Sequence, residues 1–291
     1  MAGAQSKNAG TTFINGTIDI ATADSELSNI ITVHYTYVTP VTKSGSSNRT
    51  YGVLNDIING KLKTVMADGV ENAAKIEVNT AFDLNDFYVD RNGNEELVSA
   101  KRNEGGFISV ISAFSTDAKR INEFEIDMVI NGVREIEADE ERKLPAKLVL
   151  KGCIFNFMNA MLPVEFSVVK PQAIDYFMSL DPSPKNCVFT RLRGKQISET
   201  VVTKIEEDNA FGETYVREVP RSRKDFVITW GQTEPYLWDD ESTITAAEMQ
   251  KAMADRETYL ADVKRRRDEY LANRNNTAAT TTQDYGDGFN F

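Results

Sequence analysis

Apolar and polar positions alternate along most of the first 230 residues, and the alternating stretches are short. Phe13–Ile20, Asn29–Val38 (NIITVHYTYV), Lys75–Phe82, Phe87–Val89, Gly105–Phe114 and Phe124–Val133 are rich in β-branched and aromatic residues and predict strands. Asn59-Gly60, Asp90–Asn94 and Asn131-Gly132 punctuate them as turns. A second series follows with Ala146–Phe157 and Leu162–Val169. Pro171–Leu180 places Ala173, Ile174 and Phe177 at helical spacing. Then come Cys187–Leu192, Ile197–Ile205, Tyr215–Val219 and Phe226–Trp230. From Thr243 to Arg274 the period changes to that of a helix. Thr245 and Glu248 have capping-box spacing, and Met249, Met253, Arg256, Leu260, Val263, Arg267 and Tyr270 form one stripe. Two arginines on that stripe favour packing onto the rest of the chain over a self-paired coiled coil.

These elements predict a mainly β, α+β fold. The order strand, strand, short helix, further strands fits the five-stranded oligonucleotide-binding barrel, the OB-fold. A looser version of the order in the first half leaves one or two OB-like barrels open. The expected organisation is a disordered 1–10, a β-rich 11–143, an OB-like nucleic-acid-binding 144–240, an amphipathic helix 243–274 and a flexible tail 275–291.

Charge changes the picture locally. The chain of 291 residues carries a net charge of −11, so a generally basic surface is excluded. Yet Lys185–Lys204 holds five Lys or Arg against one acid, Glu199, while Glu135–Glu141 holds five acids and no base. In Lys185–Trp230, cations alternate with rings. Arg191, Arg193, Lys195, Arg221, Arg223 and Lys224 stand among Phe189, Phe211, Tyr215, Phe226 and Trp230. Cations that hold phosphates and rings that stack on unpaired bases are what a single strand requires. The basic Gly/Ser-rich loop Pro40–Tyr51 adds Lys43, Arg49 and Tyr51 as residues placed to close over a polyanion. The competing reading makes the rings core and the charges an ordinary solvated face.

Candidate enzyme chemistry is sparse. The sequence has no phosphate-binding loop of the Gly-x-x-x-x-Gly-Lys type and no Gly-x-Ser-x-Gly elbow, and its single histidine, His34, sits in a strand pattern. Glu206-Glu207-Asp208 lies beside a turn and reads as exposed. Cys153 and Cys187 have no metal-ligand spacing and read as free thiols of a reducing cytoplasm. No cofactor, no metal and no membrane span are expected.

The segment LKGCIFNFMNAMLPVEFSVV, continued by YFMSLDPSPKNCVFTRLRGKQIS, NAFGETYVREV and RKDFVITW, resembles the core of phage-encoded single-stranded DNA-binding proteins of the replication machinery. The C-terminus is similar too. Such proteins end in a flexible linker and an acidic tip with a terminal Phe, and here Asp284, Tyr285, Asp287, Phe289 and Phe291 occupy that place. Gly286 and Gly288 stand where denser acids are usual, which favours a phage-specific partner. The resemblance implies a non-enzymatic single-stranded DNA binder in the cytoplasm of an infected bacterium, recruiting replication or recombination proteins through its tip. The alternative is a phage structural or assembly protein, a tail or baseplate component that binds no nucleic acid.

Overall fold

Two β-systems form, and the chain folds them onto one another. The structure, a computed structural model, describes residues 10–22, 29–114, 121–139, 144–208, 214–238 and 244–281, with the backbone alone at 199–208, 214, 215, 217–223 and 275–281. In the first half, β1 (Ile14–Ala21) pairs antiparallel with β2 (Ile30–Val38). Helix α1 (Arg49–Ile58) begins where the Asn48 side chain accepts from Thr50 N, so Arg49 and Tyr51 lie on a helix and not in the expected loop. The one-turn α2 (Val65–Asp68) leads into a long hairpin of β3 (Lys75–Arg91) and β4 (Asn94–Ile111). Asn92 and Gly93 both have positive φ (57° and 81°), the two-residue turn that matches strand twist.

The resulting sheet has the order β1-β2-β4-β3, with β2 and β4 parallel. One face buries Ile31, Val33, Tyr35, Leu54 and Ile108. This sheet stays open, so the described residues form one barrel and not two. Strands β3 and β4, at 17 and 18 residues, outrun this sheet and carry Phe82 and Leu84 onto the second system.

That second system is a closed barrel of β5 (Glu123–Ile136), β6 (Lys147–Phe155), β7 (Met161–Val168), β8 (Val188–Asp208) and β9 (Thr214–Gly231). Helix α3 (Pro171–Ser179) sits between its third and fourth strands. The closed order β5-β6-β7-β9-β8, with a parallel β7–β9 pair, is the arrangement of an OB-like barrel. Its first strand starts at Glu123, ahead of the expected boundary at 143. The acidic run after Arg134 belongs to β5 and the β5–β6 connection and does not separate domains. Asn131-Gly132 is likewise no hairpin turn. The register of β5 against β6 shifts there, a bulge that bends the strand into the barrel. Gly152 sits across from it, and a Cβ there would lie 1.9 Å from the Val129 carbonyl oxygen. The four short runs between Cys187 and Trp230 are in fact two long strands, of 21 and 18 residues, paired over their length.

The two systems share a core. Phe82 of β3 packs edge-on to Phe166 and Phe226, with ring centroids 6.1 and 5.4 Å apart, and Leu84 joins the same buried cluster. Helix α4 (Ala246–Thr281) then straps the assembly. Thr245 and Glu248 make the capping box, with Glu248 N donating to Thr245 Oγ1 (3.2 Å) and Thr245 N to Glu248 Oε2 (2.9 Å). Ala252, not Met253, takes the buried place on the stripe, and Tyr270 is exposed. Arg256 meets Asp86 of β3 with two short hydrogen bonds (2.8 and 2.7 Å), and Arg267 and Lys264 both meet Glu95 of β4. The helix runs past Asn275 to Thr281, further than expected; no Gly or Pro intervenes before Gly286 to break it.

Candidate nucleic-acid interface

On β8, alternate side chains point to opposite sides of the barrel wall, and Leu192 and Thr190 point inward. Phe189, Arg191 and Arg193 therefore share the outer face. There the structure separates the expected contacts. Phe189 is buried at 7% exposure under Tyr236 and Trp238, whose rings lie 4.9 and 5.9 Å away, so it offers no stacking surface. Phe226 is likewise buried, inside the barrel.

The arginines are exposed in part but matched by acids on β5. The register sets Asp127 opposite Arg191 and Glu125 opposite Arg193. Arg191 donates twice to Asp127 (2.8 and 2.9 Å), and Arg193 Nε donates to Glu125 (2.6 Å). The hydrogen bonds to Asp127 raise the pKa of Arg191 further, so it stays charged throughout. Arg193 also stacks its guanidinium 4.8 Å from the Trp230 ring, which remains 45% exposed. Trp230 is thus a ring still available to a base, with its cation already placed.

The remaining expected residues fall on three other parts of the molecule. Lys195 is half-buried near the foot of the β8–β9 hairpin, and Lys224 is exposed. Tyr215, Arg221 and Arg223 stand on β9 opposite Glu207, Val201 and Glu199. Phe211 and the tip residues Asp284, Tyr285, Asp287, Phe289 and Phe291 lie outside the described residues. Lys43 and Arg49 are exposed and Tyr51 is half-buried, but they belong to α1 and its leading loop, packed on the open sheet.

A different cationic surface was not visible in the sequence. Across the outer face of β5, β6 and β7, Arg134 and Lys151 both approach the Glu165 carboxylate at 3.7 Å. Lys101 of β4 reaches the same place from the hairpin, donating to the Glu165 carbonyl oxygen at 2.5 Å. Its ammonium lies 5.5 Å from the Phe166 ring and 5.3 Å from the Phe226 ring, and partial desolvation there lowers its pKa. Between hairpin and barrel lies an open cleft of about 410 Å³, lined by Ser99, Lys101, Asn131, Lys151 and Glu165 among others. Two cations share the Glu165 carboxylate at 3.7 Å, a distance that a phosphate oxygen can compete with, and a third, Lys101, is held on the main-chain carbonyl of the same residue. Lys151 could have been found from the inward pattern of Leu148 and Leu150, which points it outward. Lys101 could not, because it lies 64 residues before Glu165.

Among the described residues no group of three or more His, Cys, Asp or Glu is placed to hold a metal ion. None of the described helices is long and apolar enough to cross a membrane. In comparisons with known proteins, residues 2–266 match the family model described as YorF. No curated protein matches the chain.

Proposed function

The chain belongs to the YorF family, and for this member we propose a non-enzymatic, largely sequence-independent single-stranded DNA-binding role in phage replication or recombination. The observation that carries the reading is the barrel. Its strand order is that of the OB-fold, whose second and third strands and adjoining loops bind oligonucleotides. On this chain those strands are β6 and β7, where Lys151 of β6 and Arg134 of the adjoining β5 flank the Glu165 carboxylate, and Lys101 of β4 donates to the Glu165 main-chain carbonyl. The last hairpin, β8–β9, extends well beyond the barrel and bears Arg217, Arg221, Arg223 and Lys224 on one strand. Phosphates would run along the β6–β7 face toward that arm, with Trp230 as a stacking ring. Base–aromatic stacking contributes about 1–3 kcal/mol per base. The residues after Thr281 would serve as a docking tip for replication or recombination proteins, in the cytoplasm of the host.

A second reading, a structural or assembly component, draws support from the cross-strand neutralisation of Arg191 and Arg193 and from the net charge of −11. Titration of the full chain with fluorescent oligo-dT at two salt concentrations separates the two. Tight binding at low salt that weakens as salt rises supports the DNA reading. Absence of binding at low salt, together with a large DNA-indifferent ring on size exclusion, establishes the structural one.

A further inference from the structure

The β8–β9 arm leaves the barrel at a defined place, and three asparagines hold it there. Strand β5 begins at Glu123, opposite Lys195. From Gln196 onward, β8 therefore has no β5 main chain on that edge, although its pairing with β9 continues to Asp208. An open edge normally leaves donors and acceptors to water. Here side-chain amides take them up. Asn122, in a left-handed conformation (φ 58°), accepts from Gln196 N at 3.3 Å and donates to Gln196 O. Asn29, immediately before β2, donates to the same Gln196 O (3.2 Å) and accepts from Ser198 N (2.6 Å). One side-chain amide thus makes the two bonds that a neighbouring strand would make to residues two apart. Asn103 of β4 holds the Gln196 side chain, donating to its Oε1 (2.9 Å) and to Thr32 O (3.2 Å). Asn29 is itself fixed by a bond to Thr22 Oγ1 (2.8 Å).

These contacts connect β2 and β4 of the open sheet to the foot of the arm, more than 90 residues away in sequence. They are not needed to close the barrel, which is complete through β5–β8 and β7–β9 pairing. We infer that Asn29, Asn103 and Asn122 form a clasp on Gln196 and Ser198 that sets the direction of the β8–β9 arm, and that the open sheet serves as its mount. The clasp residues are positioning residues, and their role in binding rests on the single-strand reading above. A strand long enough to reach from the β6–β7 face onto the arm gains from a fixed arm, because the cost of ordering the arm has been met before binding. A strand confined to the barrel face gains nothing.

The test uses the full chain with both cysteines replaced by serine and spin labels at Val216→Cys on the arm and Asp175→Cys on α3, both exposed positions. In the parent, pulsed electron resonance is expected to give one narrow distance distribution. Asn29→Asp, which keeps the acceptor and loses the donor, and Asn29→Ala should broaden or shift it. In parallel, affinity of the variants for a 30-nucleotide oligo-dT should fall about tenfold while that for an 8-nucleotide strand stays within twofold. Thermal unfolding of each variant is followed in the same samples. An unchanged distance distribution overturns the clasp whatever the DNA result, as does an equal affinity loss at both lengths. A parent that binds neither strand refutes the DNA reading, while the distance measurement still decides whether the clasp orients the arm.

Discussion

Asp86 is fully buried and Arg256 nearly so, at 0% and 9% side-chain exposure, and each finds its charge satisfied in the other. Ser99 Oγ adds a further donor to the same carboxylate at 2.5 Å. Removing one member leaves a buried charge without its partner, which costs about 3–5 kcal/mol. Arg256→Ala is therefore expected to lower stability by that amount in urea unfolding, and Asp86→Leu with Arg256→Met to recover most of it. A loss under about 1 kcal/mol in the single variant would show that water enters the site. The two thiols differ in the same spirit. Cys153 is buried, and desolvation pushes its pKa up to about 12, so it stays a thiol at pH 8. Cys187 is half-buried and its pKa is raised as well. A disulfide-exchange reagent at pH 8 is expected to label Cys187 in the native protein and Cys153 only at the rate of unfolding. Equal labelling of both would contradict the burial.

At the scale of elements, the β3–β4 hairpin holds the two systems together. Its Leu84 and Phe82 lie in the barrel's own cluster, and its Asp86 and Glu95 receive α4. Leu84→Ala is expected to cost about 2–5 kcal/mol and to shift one cooperative unfolding transition monitored at both sheet and barrel. Two separated transitions would mean that the halves are independent. This coupling explains what was legible in the sequence. Local pattern suffices for β1, β2, α3, the Asn92-Gly93 turn and the capping box at Thr245, because each depends on neighbours a few residues away. The helix was legible too, with the places where arginine interrupts its stripe, although Met253 and Tyr270 are exposed and Ala252 takes the buried place. Why arginine stands there was not, since Asp86 precedes Arg256 by 170 residues. The interleaving of cations and rings in β8 misled for a related reason. Every second residue of a strand shares a face, but what covers that face is decided elsewhere. Tyr236 and Trp238 cover Phe189, and β5 supplies acids to Arg191 and Arg193.

For the whole molecule, a net charge of −11 makes any polyanion binding a matter of local potential. Lys151→Glu should then weaken oligo-dT binding about tenfold or more and flatten the dependence of log K on log salt by about 0.7–1 for each phosphate that the chain no longer neutralises. Arg191→Glu should do less, because its partner Asp127 already holds it. Equal effects from both would move the interface from the β6–β7 face to the β5–β8 face.

The hairpin that supplies Phe82 and Leu84 has a further consequence during synthesis. It is complete at Ile111, 117 residues before Ile228, a member of the same buried cluster. At about 5–20 residues per second, that is on the order of 6–23 s during which its apolar face lacks a complete partner. Two long, already paired strands would wait in the cell with an uncovered greasy side, an invitation to self-association. A nascent chain arrested near residue 120 should accordingly bind a holdase chaperone more strongly than one arrested past residue 260, where barrel and helix have both arrived.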